Sequence, residues 1–407
     1  MTAPATTQQS VAAGRRRLVV LLAITQTVGY GAMIQAFTVL LIPMSLELGH
    51  SRTTITGAAT VSTVAGALAA VPIGRILDRQ GGRLLMTSGS VLGASAVAGW
   101  SQARTLAELY LWFAVIGVAL ALSTYEAAFA VLVFATEPRH RDGAIVAVTM
   151  ATGLATSFYY PMVGWLETQI GWRATLAALA VSLAVIAVPI HLLAVPDRRA
   201  HAGHTARNAG VPVGDALRSA RFWLLSFAFV VQTGAVTAFL LIMVSYFRDV
   251  GYSPTLAASM PLAVGTLQLV SRLALAPLAR RYGMAEVTTV AFAVQALGLL
   301  ALPLTGAAVM PALLCVAAFG AGYGIGVVAR PSIVADAFGV ARFASIIAVT
   351  TVPIALARAG VPLLAVWLAD WRFLVLLGGG TLFAAAALIP LWTTGRPARQ
   401  PPEGRGP

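Results

Sequence analysis

Charge is scarce in this chain. Only 10% of its 407 residues are charged and 58% are hydrophobic, whereas soluble domains carry about a quarter charged residues. So few charges cannot cover a water-facing surface of this size. Lysine is absent, so all 27 basic residues are arginine, a bias that carries little functional meaning. A single cysteine, Cys315, excludes an intrachain disulfide or a thiolate metal site. His191, His201 and His204 have no metal-ligand spacing, and no nucleophile–base pair appears. Neither an enzyme nor a cofactor is therefore expected. The net charge of +13 is spread between apolar runs rather than gathered on one soluble face, which excludes a nucleic-acid partner. Nor is a cleavable leader expected. Arg15, Arg16 and Arg17 precede an apolar run too long for a signal peptide, with no small-residue cleavage site after it.

Long apolar runs are what the chain has instead. A bilayer-crossing helix needs about 20 such residues, and the strict alternation of a barrel strand is missing. The runs read as twelve spans: 18–44, 53–77, 84–102, 105–135, 143–166, 173–195, 221–248, 255–279, 285–305, 310–338, 343–367 and 372–393. The fold class expected is an all-α membrane protein of two pseudo-symmetric six-helix bundles. Its parts are a cytoplasmic tail over 1–17, a bundle over 18–195, a cytoplasmic linker over 196–220, a second bundle over 221–393 and a cytoplasmic tail over 394–407. With both termini inside, nineteen arginines fall in cytoplasmic segments, five on the other side and three within spans, as the positive-inside rule requires. A monomer in a bacterial inner membrane is expected, with both termini cytoplasmic. The halves also repeat weakly. Each has a helix with a proline (Pro161, Pro362) leading to a Trp-Arg pair, Trp172-Arg173 and Trp371-Arg372. Related halves mark many transporter folds, with the substrate site at their interface near mid-membrane.

Charges inside the spans carry the functional reading. Each costs about 2.5–3.5 kcal/mol at bilayer depth unless it meets water, a partner or a proton. Glu126 is the one acid between Glu108 and Glu137, and a partly buried carboxylate can exchange a proton near neutral pH. It reads as a proton-coupling or gating residue, or as an ion-pair partner of an arginine. The pseudo-symmetry sets it opposite Arg330. Arg272, Arg330 and Arg358 present planar forks suited to carboxylates. Their excess over Glu126 would be neutralised by an anionic solute, although Arg330 could pair with Glu126 and Arg358 could snorkel. Tyr30, Gln35, Tyr125, Tyr159, Tyr160, Gln232 and Tyr323 are polar or aromatic candidates for the path, against ordinary packing roles. Gly320, Gly322, Gly324 and Gly326 lie inside a span with no preceding strand. They read as a close-packing stripe, not a nucleotide loop.

Between the second and third spans stands Gly74-Arg75-Ile76-Leu77-Asp78-Arg79-Gln80-Gly81-Gly82-Arg83. This resembles the G-x-x-x-D-R-x-G-x-R loop motif of the major facilitator superfamily, and with twelve spans the resemblance covers the whole chain. In that family the loop holds the two halves together on the cytoplasmic side, so Gly74, Asp78, Arg79, Gly81, Gly82 and Arg83 are assigned to it. The second-half counterpart is degenerate: Ala276, then Arg280-Arg281-Tyr282-Gly283, with no Asp. Within the family the chain is most similar to the monocarboxylate and oxalate:formate branch. That rests on Asp336, Phe338, Gly339, Arg342, Phe343 and Ser345, on Gly171-Trp172-Arg173, and on Ser271-Arg272. It departs from the branch at Gln268, where an Asp is common, and at Val28-Gly29-Tyr30-Gly31. The resemblance implies a secondary active transporter of a small monocarboxylate-like anion, working by alternating access with proton coupling. Its partners would be the anion, protons and the bilayer. A drug-like or toxic-solute exporter of the same fold, and a membrane sensor without transport, are the alternatives.

Overall fold

The computed structural model describes residues 5–197, 210–367 and 371–392. These are helical almost throughout, and ten of the helices are long and apolar enough to cross a membrane. One of the ten, His140–Ala194, has 55 residues, more than twice what a bilayer needs. It is two spans, divided at Gly171 (φ 76°, ψ 162°). The less apolar helix Gly82–Gln102 lies between the second and fourth spans. Counting it and dividing at Gly171 gives twelve. The middle of the linker, 198–209, and the tail from 393 lie outside the described residues.

Sequence chemistry explains where the spans start and stop. Left-handed glycines turn the chain at Gly49, Gly81, Gly251, Gly283 and Gly339, a conformation that costs glycine little. Two turns repeat: Gly49-His50-Ser51 opens the second span and Gly251-Tyr252-Ser253 the eighth. In each, the serine hydroxyl accepts from a backbone N–H of the first turn, Thr54 N at 3.1 Å and Leu256 N at 3.3 Å, satisfying a donor that the helix leaves orphaned. Prolines lie inside the spans at Pro43, Pro72, Pro161, Pro261, Pro277 and Pro331. Membrane helices tolerate them because neighbours re-satisfy the freed carbonyls.

The chain divides into two compact units, Met1–Val213 with Gly339–Ala359, and Gly214–Phe338 with Gly360–Pro407. In the first, Phe37, Trp100 and Phe113 meet edge-on or tilted at 4.9–6.2 Å, the geometry favoured by ring quadrupoles. In the second, Phe239 and Phe319 meet at 4.6 Å, within a cluster that takes in Phe247, Met260 and Phe373. Leu46, Leu68, Phe158, Leu193, Leu304 and Phe383 point outward and are more than two-thirds exposed. In hydrocarbon, outward apolar side chains carry no penalty.

The glycine stripe of the tenth span (Val309–Phe338) is a packing device, and its contacts are specific. A Cβ at Gly320 would strike Val264, one at Gly322 would strike Gln295, one at Gly324 would strike Gln268 and Ser271, and one at Gly326 would strike Gln232. The eighth, ninth and seventh spans each approach a different side of the same helix.

Candidate functional site

The fourth span is broken. Leu106–Ser123 ends, Thr124 adopts extended backbone (φ −103°, ψ −153°), and a second helix runs Tyr125–Ala135. Neither proline nor glycine stands at the break. Ser123 Oγ donates to Ala119 O at 2.8 Å and Thr124 Oγ1 to Leu120 O at 2.6 Å. Such back-bonding bends helices. The carbonyl of Ser123 accepts from Gln26 Nε2 at 2.9 Å, and Gln26 is fully buried in the first span.

The break sets Tyr125 and Glu126 in the first turn of a half-helix, where the dipole favours an acid. Tyr125 stacks on Phe129 at 5.1 Å and lies 4.5 Å from the Tyr30 ring. Tyr30 is hydrogen-bonded to Thr124 and lies within electrostatic reach of Glu126 and Arg358. Immediately after Tyr30 the first span passes through a π-helical turn, Gly31–Gln35, a feature frequent at functional sites. Tyr159 seats its ring on Gly31 and is 9% exposed. Four of the residues singled out by the sequence, Tyr30, Tyr125, Glu126 and Arg358, thus fall together in the first unit. Arg358 is exposed and Glu126 partly buried.

Arg272, Arg330 and Gln232 belong to the second unit. Arg272 is 3% exposed and its Nε donates to Gly324 O at 3.3 Å, tying the eighth span to the tenth. Arg330 is partly buried. Gln232 is buried against Gly326.

The cytoplasmic-type loop shows its chemistry directly. Asp78 is 7% exposed and accepts from Ala344 N at 3.0 Å and Ser345 N at 2.9 Å. Those are the first amides of the helix Phe343–Trp367, so Asp78 caps it from 266 positions away. Arg342 adds an opposite charge nearby. At Gly74 a Cβ would come within 2.5 Å of Ala344 O, so only glycine allows this approach. Gly81 is left-handed, Gly82 is crowded by Val131, and Arg83 Nε donates to Val195 O at 2.7 Å. Arg79 is exposed.

One buried network was not anticipated. His191, 1% exposed, bonds Thr25 Oγ1 through Nε2 at 2.9 Å and Ser90 Oγ through Nδ1 at 2.7 Å. Thr25 Oγ1 also donates to Leu22 O, and Nδ1 lies 3.2 Å from Met86 O as well. The ring joins the first, third and sixth spans. The available sequence signal was a hydroxyl at equivalent depth on each of two apolar helices. Periodicity alone cannot pair such residues.

The family profile described as Major Facilitator Superfamily matches residues 19–359. No curated protein sequence matches the chain significantly. Solved structures are similar in fold over nearly their whole length. The proton:xylose symporter XylE has a TM-score of 0.69 at 13% identity, covering 93% of this chain and 95% of its own. The human organic anion transporter TETRAN has a TM-score of 0.68 at 18% identity, covering 92% and 99%. The E. coli fucose:proton symporter FucP has a TM-score of 0.67 at 12% identity, covering 92% and 97%.

Proposed function

Because the chain belongs to the major facilitator superfamily, we propose that it is a secondary active transporter of a small, monocarboxylate-like organic anion, coupled to protons and working by alternating access. The observation that carries this reading is the broken fourth span. It gathers one carboxylate, Glu126, with Tyr30, Tyr125 and Arg358 inside helices where an unused charge would be costly. Arg272 and Arg330 supply further guanidinium groups within the second unit's spans. Such forks bind carboxylates bidentately and stay charged at any physiological pH. Glu126 is the group that takes up and releases the proton, and the anion offsets the remaining positive charge.

The test is uptake into liposomes holding the purified protein, with an imposed pH gradient and radiolabelled lactate, pyruvate, oxalate and formate as probes. Wild type accumulates at least one of them when the gradient is present. Arg272→Ala and Arg330→Ala abolish uptake while still reaching the membrane, and Glu126→Gln keeps exchange but loses the response to the gradient. Normal uptake by both arginine variants removes the anion reading. Drug resistance in an expressing strain, without carboxylate uptake, favours an exporter instead.

A further inference from the structure

The first unit has a polar cavity far from the break at Thr124. It lies at the end opposite the Asp78 loop, where the first and third spans finish and the fourth and sixth begin. Its volume is about 310 Å³ and its lining is Glu47, Leu48, Gln102, Arg104 and Arg173.

The charge balance there is uneven. Glu47 is already neutralised: Oε1 accepts from Arg173 Nε at 2.8 Å, and Oε2 accepts from the Trp172 indole N–H. Arg173 is fixed by two more bonds, donating to Ser101 O and Ala103 O at 2.8 Å each, and it stacks on Trp172 at 4.2 Å. These three bonds use three of its five N–H groups, leaving one on each terminal nitrogen. Arg104 differs. Its backbone N–H donates to Glu108 Oε2 at 2.7 Å, but its exposed guanidinium makes no hydrogen bond or ion pair among the described residues. The cavity therefore holds one rigid guanidinium with donors to spare, one uncommitted guanidinium, an amide, and a carboxylate whose charge is cancelled.

We propose that this cavity binds an oxyanion, a carboxylate or a phosphate, through Arg104 and the free edge of Arg173. Guanidinium groups match the planar or tripodal oxygens of such anions. The volume suits a small free anion or a single headgroup, and these two sources share the chemistry. The site is separate from the Glu126 cluster and does not depend on proton coupling.

Arg104 is the residue to change, because Arg173 holds helix ends together and its loss would confound folding. The full-length protein is purified in detergent, and its melting temperature is followed against inorganic phosphate and lactate, with sodium chloride at matched ionic strength as control. In a second arm it is exchanged into nanodiscs containing phosphatidylglycerol, and retained lipid is counted by native mass spectrometry. Free-anion binding appears as a phosphate or lactate shift beyond the chloride control, with Arg104→Gln weakening the affinity about tenfold, the equivalent of about 1.4 kcal/mol. Headgroup binding appears as phosphatidylglycerol retained by wild type and lost in Arg104→Gln. Arg104→Lys restores part of either effect. Wild type and Arg104→Gln behaving alike in both arms overturns the proposal, and so does a shift that chloride reproduces. Neither result bears on uptake at Glu126, so this proposal and the transport reading fail separately.

Discussion

Asp78 shows how much one side chain can do when its partner is a helix end. A buried carboxylate is normally expensive. Here both oxygens receive backbone N–H groups that the helix would otherwise leave unsatisfied, and the dipole adds to the attraction. Asp78→Ala removes the cap and strands two buried donors. The expected loss is about 2 kcal/mol of stability. Asp78→Asn keeps one accepting oxygen and should lose about half as much. Melting in detergent checks the order; equal stability of wild type and both variants would show that the cap contributes nothing. The sequence locates this residue through its motif, but naming its partner requires the position of Ala344, which lies 266 residues away in the chain.

At the scale of elements, small residues decide where helices approach. Within the tenth span, each stripe glycine admits a different neighbour. Gly324→Val would press its side chain into the Gln268 backbone and Ser271, with an overpacking cost of about 1–3 kcal/mol. Gly265 has nothing within 4 Å of its would-be Cβ. Gly265→Ala should therefore leave folding intact and gain up to about 1 kcal/mol from helix propensity. Size-exclusion profiles and melting curves of the pair test this. If the two variants behave alike, the stripe is not a packing device. The break in the fourth span belongs to the same scale. The apolar run 105–135 reads as one continuous helix, and the structure divides it at Thr124. The reason is local: Ser123 and Thr124 satisfy earlier carbonyls with their hydroxyls, while Gln26 compensates the freed Ser123 carbonyl. Ser-Thr pairs are common in intact membrane helices, so the pair could not announce the break without Gln26 opposite it.

For the whole molecule, the proposed topology places His50 outside and Tyr282 inside. In a Cys315→Ala background, His50→Cys should react with a membrane-impermeant maleimide on intact cells. Tyr282→Cys should react only after the membrane is opened. The reverse pattern would invert the proposed topology. Apart from the first helix, which begins at Ala5 rather than at 18, the span boundaries are legible to within a few residues, because apolar length is dictated by bilayer thickness and several turns fall at glycines. The candidate site was legible only as a set of expensive charges. Glu126 and Arg358 stood out because each is isolated in an apolar run, yet Tyr30 joined them only once helices were placed side by side. The meeting of Gln26 with Ser123 and of His191 with Thr25 is not legible in the sequence, because single polar residues in spans carry no period.

Sequence alone determined that this chain lives in a bilayer, how many times it crosses, and which family it belongs to. Hydrophobic length, charge placement and a ten-residue loop motif are local properties that survive without a third dimension. Tertiary structure alone decided which polar groups meet: Asp78 with the amides of Ala344 and Ser345, Gln26 with the Ser123 carbonyl, Arg173 with the ends of the first and third spans. Hydrogen bonds act over about 3 Å, and only packing brings residues 70 to 267 positions apart within that reach.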